Sequence, residues 1–156
     1  MLNNIILASK SKVRKNILEK NNIYCDVEPS NVDETSVKES LIIENASPEL
    51  ISKNLAELKA NKISSKIDER IVLGADSVID LSGELISKPA DRKEAIEILK
   101  KLNGREHYLI SSVCLSKNGS MIWNYTDKAK LKMKNFSEKE LELSLIHISE
   151  PTRHAS

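Results

Sequence analysis

One short run constrains the fold more than any other: Ile71-Val72-Leu73-Gly74-Ala75-Asp76. Three apolar residues in a row, two of them β-branched, predict a strand buried on both faces. Gly74 and Ala75 leave room for something to approach the backbone closely. The run ends in a carboxylate, and Val78-Ile79 follows. Open α/β sheets bind ligands beyond the carboxyl ends of their strands. Asp76 is therefore placed to hold a divalent metal or to take a proton from water. The same residues also fit a plain turn, with Gly74 serving packing alone.

The rest of the chain supplies partners for that strand. Ile5-Ile6-Leu7 reads as a short buried strand, followed by Ala8-Ser9-Lys10 and a helix capped by Ser11, its inner face carrying Val13, Ile17 and Leu18. A strand, a small polar loop and a helix start aim free backbone N–H groups and a positive dipole end at one place. Ser9, Lys10 and Arg14 stand beside them, so the loop suits an anion, or is a plain βα turn with solvated basic residues. No Walker loop is present. Ile23–Val27 predicts a second strand, and residues 29–34 a polar loop ending in Val32-Asp33-Glu34-Thr35, whose adjacent acids are solvated or reach a metal.

Ser47-Pro48-Glu49 is a strong helix start, with Ile51, Leu55 and Leu58 recurring at helical spacing and Lys53, Lys59, Lys62 and Lys66 among them. Those lysines read as solvent-facing, with room for one to turn toward a phosphate. Asp80–Glu84 predicts a hairpin turn that delivers Ser87-Lys88-Pro89, where the proline stiffens Lys88. Asp91 and Glu94 open a helix with Ala95, Ile98, Leu99 and Leu102 inward and Gly104 at its end. Tyr108–Leu115 predicts a strand, Asn118-Gly119 a turn and Met121-Ile122-Trp123 the return. From Lys128 to Lys134 lysines alternate with Ala129, Leu131 and Met133, which predicts a half-buried strand with a solvated lysine face. Ser137 with Glu140 opens a last helix.

Composition excludes several classes of function. At 156 residues, the length suits one domain or two small lobes sharing a sheet. A hydrophobic share of 40% with 30% charged residues argues against disorder. A net charge of +1 advertises no broad nucleic-acid surface, and 3% aromatics provide no stacking platform for single strands. Cys25 and Cys114 form no CxxC, which argues against structural zinc and for buried thiols in a reducing compartment. No stretch is apolar enough to span a membrane, and the N-terminus reads as a strand rather than a signal peptide. The cytoplasm is the expected location.

Several segments, taken together and in order, resemble the Maf family of nucleoside triphosphate pyrophosphatases. They are Leu7-Ala8-Ser9-Lys10-Ser11 with Arg14, Asp33-Glu34-Thr35, Leu55-Ala56-Glu57-Leu58-Lys59-Ala60, Gly74-Ala75-Asp76-Ser77-Val78, Ser87-Lys88-Pro89-Ala90-Asp91, and Leu102-Asn103-Gly104-Arg105-Glu106-His107. The resemblance implies an α/β fold with a mixed elongated sheet flanked by helices, and two lobes with a central cleft, as in inosine triphosphate pyrophosphatases. It implies hydrolysis of non-canonical or surplus nucleoside triphosphates to the monophosphate and pyrophosphate with Mg²⁺ or Mn²⁺. Asp76 matches the catalytic acid that binds the metal and prepares the water, and Glu34 the acid that supports it. Ser9 and Arg14 match residues gripping the triphosphate, and Lys59 and Lys88 match phosphate-binding lysines. A homodimer is the family expectation. The competing reading is a nucleotide-binding regulator of cell division without catalysis, or an inactive fragment.

Three departures qualify the match. Lys12 and Val13 replace the Pro and first Arg of the family's Ser-Pro-Arg-Arg loop, leaving Lys10 and Lys12 to compensate. Ser77 stands where Thr or Gln is common, so base preference stays open between pyrimidine and 7-methylguanosine triphosphates. From Ser144 onward the family pattern ends. The expected organisation is a domain of residues 1–143, incomplete at its C-terminus, and an unrelated tail of residues 144–156 in which His147 and His154 have no catalytic role.

Overall fold

A computed structural model describes residues 4–148, with side chains as far as Leu145. The strands are β1 (Ile5–Leu7), β2 (Cys25–Val27), β3 (Val72–Leu81), β4 (Glu84–Ile86), β5 (Glu106–Lys117) and β6 (Ser120–Lys132). The helices are α1 (Lys12–Lys20), α2 (Glu34–Ile43), α3 (Pro48–Ser64), α4 (Arg92–Leu102) and α5 (Glu138–Ile148). One mixed sheet runs in the order β2-β1-β3-β5-β6, and β4 pairs with β3. β1 is parallel to both β2 and β3, while β3 and β4 are antiparallel.

The chain divides into two compact units. The first holds residues 1–78 and 110–128, the second residues 79–109 and 129–156. In the first, Ile6, Ala8 and Val72 from the parallel strands pack with Ala56, Ala60 and Ile63 of α3 and with Cys114. The helix lies unusually close to the sheet at Gly74. A Cβ there would sit 2.2 Å from the Ala56 carbonyl oxygen and 2.7 Å from the Ala60 nitrogen. Small residues on both sides of the contact therefore set the spacing of α3 over β3. α3 begins as its sequence dictates, with Ser47 accepting from the Leu50 N–H and Pro48 in the first turn.

The second unit has its own core of Leu81, Ile86 and Leu102, lined by Ile79, Ile98 and Met133. Asp91 caps α4, and Gly104, at φ +67°, releases the chain from it. Asn118 and Gly119, both at positive φ, form the two-residue link between β5 and β6.

Several sequence expectations need correction. The second strand begins at Cys25, not Ile23. Residues 34–43 form α2, because Asp33 accepts from the Ser36 N–H and so caps a helix. α1 has no buried face: Val13 is 67% and Ile17 55% exposed. The return segment and the lysine-alternating segment are one strand, β6, which buries neither face among the described residues, Leu131 included. Of the two thiols, Cys114 is buried and Cys25 only partly so, and both are free. The boundary expected after Leu143 falls within α5, where Leu141 and Leu145 are both buried. Residues 149–156, with His154, lie outside the described residues.

Candidate functional site

Two polar clusters sit side by side in the first unit, one in the loop after β1 and one in mid-β3, which runs on to Leu81 rather than ending at Asp76 as its sequence predicts. The first is the loop after β1. Ser9 is buried, its Oγ accepting from Arg14 Nη1 at 3.0 Å and from the Ser11 N–H at 3.2 Å. Ser11 in turn caps α1 by accepting from the Arg14 N–H. One short loop thus fixes the Arg14 guanidinium against the Ser9 hydroxyl. Leu7 pairs with Leu73, and the Ala8 N–H donates to the Leu73 carbonyl, so Ser9 follows β1 at the level where Ala75 follows Leu73.

The second cluster is built on β3 and α3. Lys59 turns inward rather than into solvent, and its side chain is 11% exposed. Its Nζ lies 2.5 Å from Glu34 Oε1, 3.2 Å from Asp76 Oδ1 and 3.2 Å from the Ala75 carbonyl. An ammonium has three N–H donors, so these acceptors engage all of them. Asp76 is the more deeply set acid, with its side chain 7% exposed against 44% for Glu34. Burial pushes the Asp76 carboxyl above the ordinary carboxylate range, an effect that Lys59 and, more weakly, Lys38 oppose and Glu34 adds to. A base whose pKa moves toward neutrality is better matched to taking a proton from water.

Asp76 Oδ2 is buried and has no hydrogen-bond partner in the structure. Such an oxygen is costly unless something else binds it. Together with Glu34 it offers hard oxygen donors on one side of a single ammonium, which suits a divalent cation of the Mg²⁺ or Mn²⁺ type. Among the described residues no group of three or more His, Cys, Asp or Glu could hold a metal alone. Further oxygens of a bound ion would have to come from water or substrate, as is usual for Mg²⁺.

The six residues singled out in the sequence distribute as follows. Ser9 pairs with Arg14, and Glu34, Lys59 and Asp76 meet in one cluster. Lys88 belongs to the second unit, on the exposed stretch after β4. Ser77, next to Asp76, has its Oγ 3.1 Å from Ser111 Oγ. Sequence reasoning missed Ser52, whose hydroxyl reaches the Asp76 carbonyl at 3.2 Å. It also missed that Lys59 is held between acids. Helical spacing held the signal: Ser52, Ala56, Lys59 and Ala60 share the arc of α3 that carries its buried residues.

The architecture is that of an α/β protein with acids and cations gathered just beyond the parallel pairing of β1 and β3. Its fold is similar to that of a HAM1 protein from Coxiella burnetii, with a TM-score of 0.51 and 16% identity over 83% of this chain and 71% of that one. The Staphylococcus aureus Ham1 protein is similar at a TM-score of 0.50 and 16% identity, covering 82% and 69% of the two chains.

The family model described as Maf-like protein matches residues 4–156, and the chain belongs to that family. A relative from Pelagibacter ubique (strain HTCC1062), named nucleoside triphosphate pyrophosphatase, is 68% identical over 155 residues, 99% of this chain and 80% of its own length. A protein of the same name from Ruegeria sp. (strain TM1040) is 37% identical over 99% of this chain and 78% of its own.

Proposed function

We propose that this chain is a metal-dependent nucleoside triphosphate pyrophosphatase. The observation that carries the reading is the buried Asp76 carboxylate in β3, just beyond the residues that pair with β1, with one oxygen on Lys59 and the other without a partner. The chain's relatives, named nucleoside triphosphate pyrophosphatase, support it. Asp76 is the base: water adds to phosphorus, the α–β anhydride bond breaks, pyrophosphate leaves, and the proton of the water passes to the carboxylate. Asp76 and Glu34 are the residues that would hold a divalent cation. Such an ion supplies Lewis-acid stabilisation of the charge that develops on phosphate oxygens.

Ser9 and Arg14 bind phosphate in this reading, the guanidinium being already oriented by the hydroxyl. Lys59 balances the acids at rest and is the nearest ammonium for an incoming phosphate; for Lys88, in the second unit, a phosphate-binding role rests on the resemblance alone. Positioning and charge compensation of this kind supply most of the rate enhancement in phosphoryl transfer. The house-cleaning role, a cytoplasmic location and a homodimeric working form belong to the same proposal and rest on the resemblance.

The test is release of pyrophosphate from a panel of nucleoside triphosphates, with and without Mg²⁺ or Mn²⁺. Turnover that needs the ion and falls about a thousandfold or more in Asp76→Asn is expected for loss of the base and a metal oxygen together. Tight nucleotide binding by calorimetry without any turnover would instead favour a regulator. Undiminished turnover in Asp76→Asn would remove Asp76 from the chemistry.

A further inference from the structure

The face of α3 that touches β3 carries two polar side chains, two helical turns apart. Lys59 donates to the Ala75 carbonyl and to Asp76 Oδ1, and Ser52 donates to the Asp76 carbonyl at 3.2 Å. Between them the helix backbone lies directly on Gly74. The Asp76 residue is thus gripped from one helix at three atoms: its side chain, its own carbonyl and the carbonyl before it.

Ser52 is completely buried. Its Oγ is also 3.0 Å from Ser112 Oγ, which lies 3.0 Å from Thr126 Oγ1. A hydroxyl has one proton, and a carbonyl can only accept. The Ser52 hydroxyl is the donor in both of its contacts, so its one proton lies between two acceptors, the Asp76 carbonyl and Ser112 Oγ. The three hydroxyls form a linked row from β6 through β5 and α3 to the Asp76 carbonyl in β3. Such chains strengthen each bond within them and fix the orientation of the last acceptor.

We propose that Ser52, held in line by Ser112, is a positioning residue that fixes the Asp76 peptide so that its carboxylate meets the reacting water in one geometry. The proposal rests on the reading of Asp76 as the base. Among the described residues, Ser52 is the α3 side chain that hydrogen-bonds to that carbonyl. A carboxylate displaced by a fraction of an ångström still binds nucleotide but no longer aligns the attack, so the loss falls on kcat rather than on binding.

Four variants of the full chain test this with the nucleoside triphosphate that turns over fastest in the panel: Ser52→Ala, Ser112→Ala, Asp76→Asn and Ser64→Ala. Ser64 is the matched control, an equally buried hydroxyl on the same helix that accepts from the Gly119 N–H at the hairpin and is not bonded to Asp76. Each variant is measured for kcat, KM, nucleotide Kd by calorimetry and Tm. Ser52→Ala is expected to lower kcat about ten- to a hundredfold while KM and Kd stay within about threefold. Ser112→Ala loses less kcat in the same pattern, and Ser64→Ala keeps kcat at a comparable loss of Tm. Equal kcat in Ser52→Ala and Ser64→Ala, or a joint change in kcat and KM that follows Tm, overturns the proposal. If Ser52→Ala does not fold, Ser112→Ala decides, and unchanged kcat there overturns it. Undiminished turnover in Asp76→Asn is a different failure, that of the site reading itself.

Discussion

Asp76 is held in the form that burial disfavours. Desolvation is the largest influence on it and outweighs the attraction of Lys59, so its folded pKa lies above its unfolded one. The folded state then binds more protons than the unfolded state between those two values, and stability falls as pH rises through that window. Asp76→Asn removes the charge and keeps an oxygen for Lys59. In metal-free protein it is expected to raise Tm above pH 7, with the gap closing as pH falls and wild-type Asp76 protonates. Calorimetric melts across pH check this, and a constant gap would contradict the assignment. Lys59→Met has the opposite effect. It leaves two acids without their shared cation, at a loss of about 3–5 kcal/mol typical of a broken buried pair. Urea unfolding at neutral pH measures it, and acid should shrink the loss.

At the scale of elements, β3 and α3 are one construction. Gly74→Ala drives a methyl group into the α3 backbone, where the obstacle is a carbonyl and not a mobile side chain. A loss of about 3 kcal/mol or more in urea unfolding is expected, with turnover falling as α3 lifts. Much of this was legible in the sequence. The apolar run ending in Gly-Ala-Asp announced a strand with a close neighbour, and Ser47-Pro48-Glu49 announced the helix that supplies it. The missed features have physical reasons. α2 has a weak apolar stripe, and the acid that caps it looked like part of a polar loop. The helical pattern alone did not separate Lys59 from its solvent-facing neighbours, and only the resemblance singled it out, because a lysine is buried only when acids meet it and both acids are remote in sequence. Ser52 is a small residue that bears no charge, so only its place on the buried arc distinguished it.

At the scale of the molecule, the chain crosses between its two units after Val78, Leu109 and Lys128. Each unit has its own apolar cluster. Leu102→Ala opens a cavity in the second, for about 2–5 kcal/mol. Hydrogen exchange is expected to show the largest loss of protection in residues 79–109 and in the 129–148 stretch, with β1 and α3 least affected. Loss centred instead on Ile6, Ala56 and Val72 would show the two cores to be a single cooperative block. The family resemblance drawn from scattered short segments agrees with the family match over residues 4–156.

The resting ammonium at the heart of the first unit has every hydrogen committed. An arriving polyanion can claim one only by evicting an internal acceptor, and the three are not equally easy to dislodge. The Ala75 carbonyl is fixed in a strand and Asp76 is sealed in, whereas Glu34 stands at a helix start with nearly half of its side chain in water. On the proposed reading, Glu34 is therefore the acceptor that an incoming polyanion would displace first, from the solvent side, taking its place on the cation behind it.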